Sequence, residues 1–464
     1  MAGIILFAEN VVDTEQTARL TSEYQKLALE NNLQPFLLAV DQEGDRVVRL
    51  GTGTSLPGSM ALVATRDPKL AYEYGKIIAE ELDSLGINVD LAPVLDINNN
   101  PNNPVAGERS ISSNTELVGE IGSQLVKGLQ ENKVSAVVKH FSGHGDTAGD
   151  SHVGLPEVNK SKEEVMNMEL RLFMNVADEG VDIIPDALNM QAIAKHFGQA
   201  EASLRSFNAW ADILLMPVIM RSNEDVEKLE KVYAILENVV HEGEITEERL
   251  NDFVRRVLEL KGKRGISDTT KYNQPVKEKV KKALSVVGSK EHLEKQRLIT
   301  QRAITVGKNE NMLPFRAKPE EKILMLAAFN NEVPGLNYGF DRLQREGVIP
   351  KDVKYTTMTY NENTTKEELK NQMKGYDYIV VISEIAKQAQ HSPESWQSNI
   401  PQMFVDIANE NNQKHVILSI AKHYDWTDIK MQNQYCLHMV QKEWIQQKKE
   451  HIQLKPLAQT FLLH

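Results

Sequence analysis

The sequence predicts an α/β protein, with an incomplete (β/α)8-type barrel followed by a smaller α/β sandwich domain. Short apolar runs alternate with amphipathic helical stretches through the first half of the chain. Such alternation is typical of parallel βα units. After a charged helical stretch at about residues 222–264, a second and shorter alternation begins, which indicates a second domain.

About six barrel strands are recognisable as short apolar runs. They are residues 3–7, 36–41, 89–97, 135–141, 181–184 and 211–217. A closed barrel of this kind has eight strands, so the barrel is expected to be incomplete. Polar residues stand at or just after the ends of these runs, and they include Asp41, Gln42, Glu43, Asp96, Lys139, His140 and Asp186. In a β/α barrel such positions form the C-terminal face, where catalytic residues gather.

Four further apolar runs predict the second domain, at residues 322–329, 353–360, 376–383 and 415–421. We therefore assign residues 1–265 to a catalytic barrel-type domain, 266–300 to a linker and 301–430 to a C-terminal α/β domain. Residues 431–464 form an atypical tail, which contains seven glutamines but no glycine or aspartate. This composition is not typical of the last strand or helix of a folded α/β domain.

Composition restricts the possible partners. The chain has 464 residues, 41% hydrophobic and 25% charged, which is ordinary for a globular protein of two or three domains. A net charge of -12 argues against nucleic-acid partners and anionic membranes. Cys436 is the one cysteine, so no intrachain disulfide is possible. No apolar run predicts a membrane span, and the first residues do not resemble a secretory signal.

The stretch KHFSGHGDTAGDSH, residues 139–152, combines three histidines, two aspartates and three glycines. His140 and His144 have the spacing of a helical metal site, but Phe141 stands where a zinc protease has glutamate, and the glycines disfavour a helix. A polar loop with hydrogen-bonded histidines is a second interpretation. The third is an acid/base pair, because Asp150 can orient His152 and raise its basicity. These residues alone leave all three open.

The same stretch resembles the K-H-F-P-G-H-G-x4-D-S/T-H motif of glycoside hydrolase family 3, in its β-N-acetylglucosaminidase branch of the two-domain Gram-positive type. Ser142 stands in place of the proline. Three further segments are similar to motifs of that branch: DQEGDRVVRL (41–50), NNNPNNPVAGERSI (98–111) and PDALNMQAI (185–193). The resemblance extends from residue 3 to about residue 425 and includes VGSKEHLE and HSPESWQSNIPQ.

The resemblance implies a retaining exo-β-N-acetylglucosaminidase that hydrolyses terminal β-linked GlcNAc, from a peptidoglycan-derived GlcNAc–MurNAc disaccharide or muropeptide. His152 would be the general acid/base, Asp150 its orienting partner and Asp186 the nucleophile. Without the resemblance, Asp186 could simply cap a helix. The residues implied to hold the terminal sugar are Asp41, Arg49, Arg109, Lys139 and His140. No metal or organic cofactor is implied, and His144 and Asp146 receive no catalytic role.

Three departures from the family pattern lead to further expectations. Asp45 replaces a glycine, which would strain a turn if the backbone there needs positive φ. The family's first barrel strand is not recognisable, and one βα unit is missing at the junction 184–186. We therefore expect an unstable chain with weak activity or none. The alternative is a catalytically impaired or truncated paralogue that only binds sugar.

The resemblance disfavours a β-glucosidase or β-xylosidase, because in those branches of the family the general acid is a carboxylate elsewhere in the chain and not a histidine of this motif. The family suggests an exported, cell-wall-associated enzyme, although this chain shows no signal peptide.

Overall fold

The computed structural model describes residues 2–100, 103, 105–147, 160–177, 188, 191–209, 211–308, 316–385, 390, 392–420 and 436–438. The three catalytic candidates, Asp150, His152 and Asp186, lie outside the described residues. The strand predicted at 181–184 lies outside them as well.

Four parallel strands form the first sheet, in the order β1-β2-β3-β4. They are β1 (Gly3–Leu6), β2 (Leu37–Val40), β3 (Val89–Asp90) and β4 (Ser135–Ala136). Each strand pairs with the next along the chain, and an isolated parallel bridge between Val94 and Lys139 extends the contact of β3 with β4. The parallel α/β fold is therefore confirmed. Within the described part of the chain this sheet has four strands and does not close into a barrel.

The strand predicted at 211–217 is wrong, because these residues form no strand. One backbone bond, from the Leu188 N–H to the Leu215 carbonyl oxygen (2.9 Å), links this segment to another part of the chain. The segment is also held by side chains, because the Asp212 carboxylate accepts two hydrogen bonds of 2.6 Å from Arg256.

Four helices connect the strands of the first sheet: α1 (Thr14–Glu30), α2 (Ser59–Ala64), α3 (Pro68–Leu85) and α4 (Thr115–Glu131). Side chains of Asp13, Asp67 and Asn114 cap the N-termini of α1, α3 and α4 by accepting backbone N–H bonds. Helices α3 and α4 pack closely through Gly75 and Gly128. A Cβ atom at either glycine would collide with a backbone carbonyl of the opposite helix.

The two faces of the first sheet are covered differently. On one face, Val40 and Leu6 share an apolar cluster with residues of α1, α3 and α4. On the opposite face, Leu37 and Ala39 cluster with Val89 of β3 and with Ile266. Residues just beyond β3 and β4 join this cluster, Leu91 and Val137, and Ile213, Leu215 and Leu260 pack against it. Since successive strand residues point to opposite faces, this division follows from the pattern of the strands. Apolar packing thus occupies the side that would face inward in a barrel.

In the described part of the first 303 residues, the remaining helices are α5 (Lys162–Val165), α6 (Arg171–Ala177), α7 (Gln191–Asn208), α8 (Asn223–His241), α9 (Glu247–Lys263), α10 (Val276–Val286) and α11 (Lys290–Ala303). One π-helical turn, Met166–Leu170, joins α5 to α6, and Gly198 (φ 72°) kinks α7. Short 3-10 turns lie at Ala8–Asn10, Gly107–Arg109 and Thr269–Asn273. The segment predicted as a linker contains α10 and most of α11, and both helices bury side chains in the core of the first sheet.

Among the residues that the structure describes, six strands form the second sheet, in the order β5-β10-β9-β8-β6-β7. They are β5 (Thr305–Lys308), β6 (Lys322–Ala327), β7 (Lys354–Thr359), β8 (Tyr378–Ser383), β9 (Lys414–Ser419) and β10 (Cys436–His438). All pairs are parallel except β5 with β10. The four strands predicted for this domain are present as β6 to β9, and β10 comes from the stretch predicted as an atypical tail.

Helices α12 (Val333–Arg345), α13 (Lys366–Met373) and α14 (Trp396–Glu410) cover this sheet. The α12 side chains pack with Ile323 and Met325 on one face, whereas α13 and α14 pack with Leu324 and Leu326 on the other. Helices therefore cover both faces of this mostly parallel sheet. No helix in the described ranges combines the length and apolarity needed to cross a membrane.

Candidate active site

The candidate site lies where the strands of the first sheet end. Asp41 and Glu43 follow β2, Asp96 follows β3, and Lys139 and His140 follow β4. Since the carboxyl ends of parallel strands meet at one edge of a sheet, these side chains converge there, in the position where α/β proteins bind ligands. The structure brings together all five residues implied to hold a sugar, including Arg49 and Arg109.

Lys139 lies between two carboxylates. Its Nζ is 2.7 Å from Asp41 Oδ1 and 2.6 Å from Glu43 Oε1. Burial alone would lower the pKa of Lys139, but the charges of Glu43 and Asp41 outweigh burial and raise that pKa. The ammonium group therefore stays charged. Two of its three N–H bonds point to these carboxylates, which leaves one donor for a ligand.

Glu43 is the buried centre of the site. Arg109 binds both of its carboxylate oxygens, with Nε 2.8 Å from Oε2 and Nη2 2.7 Å from Oε1. Burial alone would raise the pKa of Glu43, but the positive charges of Lys139 and Arg109 prevail and lower it to about 2. Glu43 also raises the pKa of Arg109 against the opposing effect of burial. A carboxylate that stays ionised down to acid pH thus fixes two cations.

Arg49 reaches the site from the loop after β2. Its Nη2 lies 3.4 Å from Asp41 Oδ2. Gln42 holds this loop, because its Oε1 accepts bonds from the backbone N–H groups of Arg49 (2.9 Å) and Leu50 (3.1 Å). The Gln42 N–H in turn donates to Asp90 Oδ1 at 2.9 Å. The loop is therefore tied to the end of β3.

His140 is oriented by Asp96. The distance from His140 Nδ1 to Asp96 Oδ2 is 2.5 Å, and Asp96 Oδ1 also accepts the backbone N–H of His144 at 2.7 Å. Burial would raise the pKa of Asp96, but the contacts with His140 and His144 outweigh it and lower the pKa. His140 Nε2 lies 3.3 Å from Arg109 Nη2. The tautomer with its proton on Nδ1 satisfies both neighbours.

The two histidines considered for a metal site are directed to other partners. The rings of His140 and His144 meet edge to face, with centroids 6.1 Å apart. His144 Nδ1 is 2.5 Å from Thr147 Oγ1. In the described part of the chain, no group of three or more His, Cys, Asp or Glu side chains is placed to hold a metal ion.

The turn that contains Asp45 requires the positive φ at which replacing the family's glycine was expected to cause strain. Gly44 has φ 92° and Asp45 has φ 53°. Asp45 therefore occupies the left-handed region, in which aspartate is better tolerated than most residues. Its backbone N–H donates to the Leu56 carbonyl oxygen at 3.1 Å, so the turn is formed despite the missing glycine.

From the sequence, Glu43 and Asp96 were predicted to stand at strand ends, but neither was predicted to have a role in the site. Both are buried and hold the residues that were named: Glu43 binds Lys139 and Arg109, and Asp96 binds His140. Their position in the sequence was the available signal, because each lies in the loop that follows a strand, like the residues it supports.

Comparison with known proteins places this arrangement in a family. Residues 1–187 and 180–260 match the glycosyl hydrolase family 3 N terminal domain. The chain belongs to glycosyl hydrolase family 3. Its membership agrees with the resemblance that the sequence motifs carried, and the site described above lies wholly within the matched residues.

Curated relatives of this family 3 chain include Beta-hexosaminidase A of Pseudoalteromonas piscicida, 31% identical over 373 residues, 68% of this chain and 61% of the relative. A Beta-hexosaminidase of Neisseria meningitidis serogroup B (strain MC58) is 36% identical over 195 residues, 40% of this chain and 53% of the relative. The chain thus spans less than two thirds of the length of either relative.

Solved structures of other members of glycoside hydrolase family 3 resemble this chain in fold. A glycoside hydrolase family 3 beta-N-acetylglucosaminidase from Paenibacillus sp. str. FPU-7 superposes with a TM-score of 0.79 at 27% identity, covering 100% of this chain and 90% of that one. A fungal multi-domain family 3 beta-N-acetylglucosaminidase also gives a TM-score of 0.79 at 27% identity, covering 99% of this chain and 56% of that one.

Proposed function

We propose that this chain is a retaining exo-β-N-acetylglucosaminidase that removes terminal β-linked GlcNAc from GlcNAc–MurNAc fragments of peptidoglycan. The observation that carries the proposal is the ion network of Asp41, Glu43, Arg109 and Lys139 at the carboxyl ends of the strands. Relatives named beta-hexosaminidase and a solved beta-N-acetylglucosaminidase support it.

The network divides into residues that reach solvent and residues that hold them. The side chains of Asp41 and Lys139 are each 16% exposed, and that of Arg49 is 24% exposed. Glu43, in contrast, is 5% exposed and Asp96 is wholly buried. A sugar hydroxyl both donates and accepts hydrogen bonds. The accessible carboxylate and cations can therefore bind adjacent hydroxyls of one sugar, while the buried carboxylates keep them in place.

Catalysis is proposed to follow from the motif residues outside the described part of the chain. The Asp186 carboxylate attacks the anomeric carbon as the glycosidic bond breaks, and His152 gives its proton to the leaving oxygen. Water then attacks the glycosyl ester and returns a proton to His152, which releases GlcNAc with its β configuration retained. Asp150 orients His152 throughout both steps.

A chromogenic β-GlcNAc glycoside tests the proposal. Release of the chromophore, with β-GlcNAc as the first product seen by proton NMR, is the expected result. First appearance of the α anomer would overturn the retaining mechanism, and faster cleavage of the matched β-glucoside or β-xyloside would overturn the sugar assignment. Each comparison uses the same leaving group, so only the sugar differs.

A second candidate, sugar binding without turnover, has its own support. The sugar-holding residues are assembled, whereas the first sheet does not close within the described residues. Catalysis is sensitive to displacements of about 1 Å, so an open sheet could retain binding and lose turnover. Calorimetric binding of GlcNAc without chromophore release would favour this candidate over the enzyme.

A further inference from the structure

The loop that carries Arg49 has a second anchor, which belongs to another element of the fold. At its start, Gln42 accepts the backbone N–H groups of Arg49 and Leu50. Further along, the Thr54 N–H donates to both carboxylate oxygens of Glu81, at 3.2 and 2.9 Å, and the Thr54 hydroxyl donates to Oε1 at 2.6 Å. Glu81 is a residue of α3 and is 3% exposed. The loop is therefore held by buried side chains on both sides of Arg49.

The chain between these two anchors is compact. The Gly51 N–H donates to the Arg49 carbonyl oxygen at 3.2 Å, and the Gly53 N–H donates to the Leu50 carbonyl oxygen at 3.1 Å. Gly53 lies between a carboxylate and an apolar side chain, because a Cβ atom there would be 2.5 Å from Glu81 Oε2 and 3.0 Å from Leu50 Cδ2. A displacement of the second anchor is therefore passed to the backbone of Arg49.

Glu81 is also bound by the turn that leads into α11. The Gly288 N–H donates to its Oε1 at 2.9 Å, and His292 Nδ1 lies 3.0 Å from the same oxygen. Together with the N–H and hydroxyl of Thr54, these groups surround one buried carboxylate. Gly288 and His292 lie in the segment predicted as a linker, so that segment takes part in holding the loop.

The Arg49 side chain depends on its backbone for its position. Its Nη2 is 3.4 Å from Asp41 Oδ2, which is long for a hydrogen bond between charged groups. Its Nε is buried and has no hydrogen-bond partner among the described residues. Arg109, in contrast, is fixed by two short bonds to Glu43. The position of the Arg49 guanidinium is therefore set largely by the loop.

We infer that Glu81 is a positioning residue, which holds the loop that presents Arg49 to the sugar through its bonds to Thr54. The inference rests on the proposed function, in which Arg49 binds a sugar hydroxyl. The Glu81 carboxylate is occupied by groups of the protein, so it acts through the loop and not by touching the sugar. Fixing the loop in advance lowers the entropy that is lost when Arg49 binds.

The first test compares KM and kcat of Glu81→Gln and Glu80→Gln on a chromogenic β-GlcNAc glycoside. Glutamine keeps the size of Glu81 but presents an amide NH2 to hydrogen-bond donors, which weakens the anchor. We expect Glu81→Gln to raise KM about tenfold and to change kcat little, since a contact that is lost equally in ground and transition states changes KM alone.

Glu80→Gln is the matched control. The Glu80 carboxylate binds the other ring nitrogen of His292, at 2.9 Å. The control therefore disturbs the contact with α11 but keeps the bonds between Glu81 and Thr54, and its KM should stay close to that of the unsubstituted chain. Equal rises in KM in both variants would overturn the inference, because the effect would then come from the packing of α11.

A double-mutant cycle tests whether Glu81 acts through Arg49. In a chain that carries Arg49→Met, Glu81→Gln should raise KM less than about twofold, because the contact that it supports is already lost. A rise as large as that in the unsubstituted background would show that Glu81 acts by another route and would overturn the inference.

Thr54 provides a second pair of variants in case Glu81→Gln fails to fold. Valine has nearly the shape of threonine but lacks the hydroxyl that donates to Glu81, whereas serine retains it. Thr54→Val should therefore raise KM, and Thr54→Ser should keep most of the affinity. The same KM in both Thr54 variants would count against the inference.

Hydrogen–deuterium exchange separates this inference from the proposed function. Peptides covering residues 44–56 should exchange faster in Glu81→Gln than in Glu80→Gln, whether or not the chain cleaves GlcNAc glycosides. Equal exchange in the two variants overturns the inference even if the enzyme is active. Faster exchange in a chain that neither binds nor cleaves GlcNAc glycosides overturns the proposed function and keeps the anchoring role of Glu81.

Discussion

Arg109 binds Glu43 through two parallel hydrogen bonds, from Nε to Oε2 (2.8 Å) and from Nη2 to Oε1 (2.7 Å). This two-point contact fixes the orientation of the guanidinium as well as its distance. Because Lys139 binds Oε1 of the same carboxylate, Glu43 sets the positions of two cations that face the site. The strand ends alone would not determine these positions.

Replacing Glu43 with glutamine should destabilise the protein by about 3 kcal/mol, because two buried cations lose their shared counter-charge. The pKa of Glu43 is about 2 in the folded chain, below the ordinary 4.5. Its stabilisation is therefore complete above about pH 4.5 and is lost as the pH falls towards about 2. Urea unfolding of Glu43→Gln and the unsubstituted chain, from neutral to acid pH, measures this difference.

Glu15→Gln is the control for that measurement, since the Glu15–Arg19 pair is exposed and should contribute less than about 1 kcal/mol. Similar destabilisation by both substitutions would contradict the role given to Glu43. The role would also be contradicted if the difference in free energy of unfolding between Glu43→Gln and the unsubstituted chain did not become smaller at acid pH.

Asp186→Asn should abolish turnover if the proposed mechanism holds, because the amide cannot form the glycosyl ester. His152→Ala should retain cleavage of substrates with good leaving groups and lose cleavage of those with poor ones. Initial rates on a series of aryl β-GlcNAc glycosides measure both effects. Asp41→Asn is the comparison, since loss of a sugar contact should lower the cleavage rate of all substrates by a similar factor. If His152→Ala also lowers all rates by a similar factor, His152 is not the general acid.

His292 should make the packing of α11 on α3 dependent on pH. Its Nδ1 is 3.0 Å from Glu81 Oε1 and its Nε2 is 2.9 Å from Glu80 Oε2. Burial lowers the pKa of His292, but the two carboxylates outweigh burial and raise that pKa above the ordinary 6.5. The stabilisation is therefore complete below about pH 6.5 and is lost as the pH rises through the folded-state pKa.

His292→Gln should accordingly destabilise the chain more at about pH 5.5 than at about pH 9. Thermal unfolding at both pH values measures the change. His241→Gln, at the exposed end of α8, should show no such dependence. A destabilisation by His292→Gln that grows with pH would contradict the raised pKa.

Glu332 should make the second sheet less stable as the pH rises from about 4.5 to about 8. Burial and the neighbouring Glu384 carboxylate raise the pKa of Glu332 to about 8, although a backbone N–H bond from Phe329 opposes them. The folded chain therefore holds the proton more tightly than the unfolded chain, and stability falls as the pH rises from about 4.5 to about 8. Glu332→Gln should remove this fall, which amounts to a few kcal/mol.

Hydrogen–deuterium exchange of peptides covering β6 and β8 measures the effect directly, because Glu332 and Glu384 follow these two strands. Glu362→Gln, at an exposed position, is the control and should leave the pH dependence in place. Retention of the full pH dependence in Glu332→Gln would show that another group is responsible.

Sequence patterns predicted the fold correctly where a structural element is determined by residues close together in the chain. Apolar runs bounded by amphipathic helices located β1 to β4 and β6 to β9, since burial on both faces leaves a continuous apolar signal. The same signal failed at residues 211–217. Ile213 and Leu215 are apolar because they pack against the sheet, although within the described residues their segment pairs with no strand. An apolar run therefore indicates that a segment is buried, but it does not indicate whether the segment's backbone is hydrogen-bonded in a sheet.

The candidate site was predictable in part for a similar reason. Motif residues such as Lys139 and His140 carry a recognisable chemical pattern, so sequence alone could name them. Glu43 and Asp96 act only through residues distant in the chain: Glu43 pairs with Arg109, and Asp96 with His140. Such pairings follow from the register of the sheet, which no single segment of sequence encodes.

The close contact of α3 with α4 through Gly75 and Gly128 constrains how this protein can be engineered. Because a methyl group at either position would collide with the opposite backbone, even alanine would separate the two helices. Libraries intended to raise thermal tolerance should leave both codons unvaried. Gly119 of α4 is a better place to substitute alanine, since an added Cβ there would meet only a Leu172 methyl carbon at 3.4 Å. Alanine at that helical position also removes the entropic disadvantage of glycine.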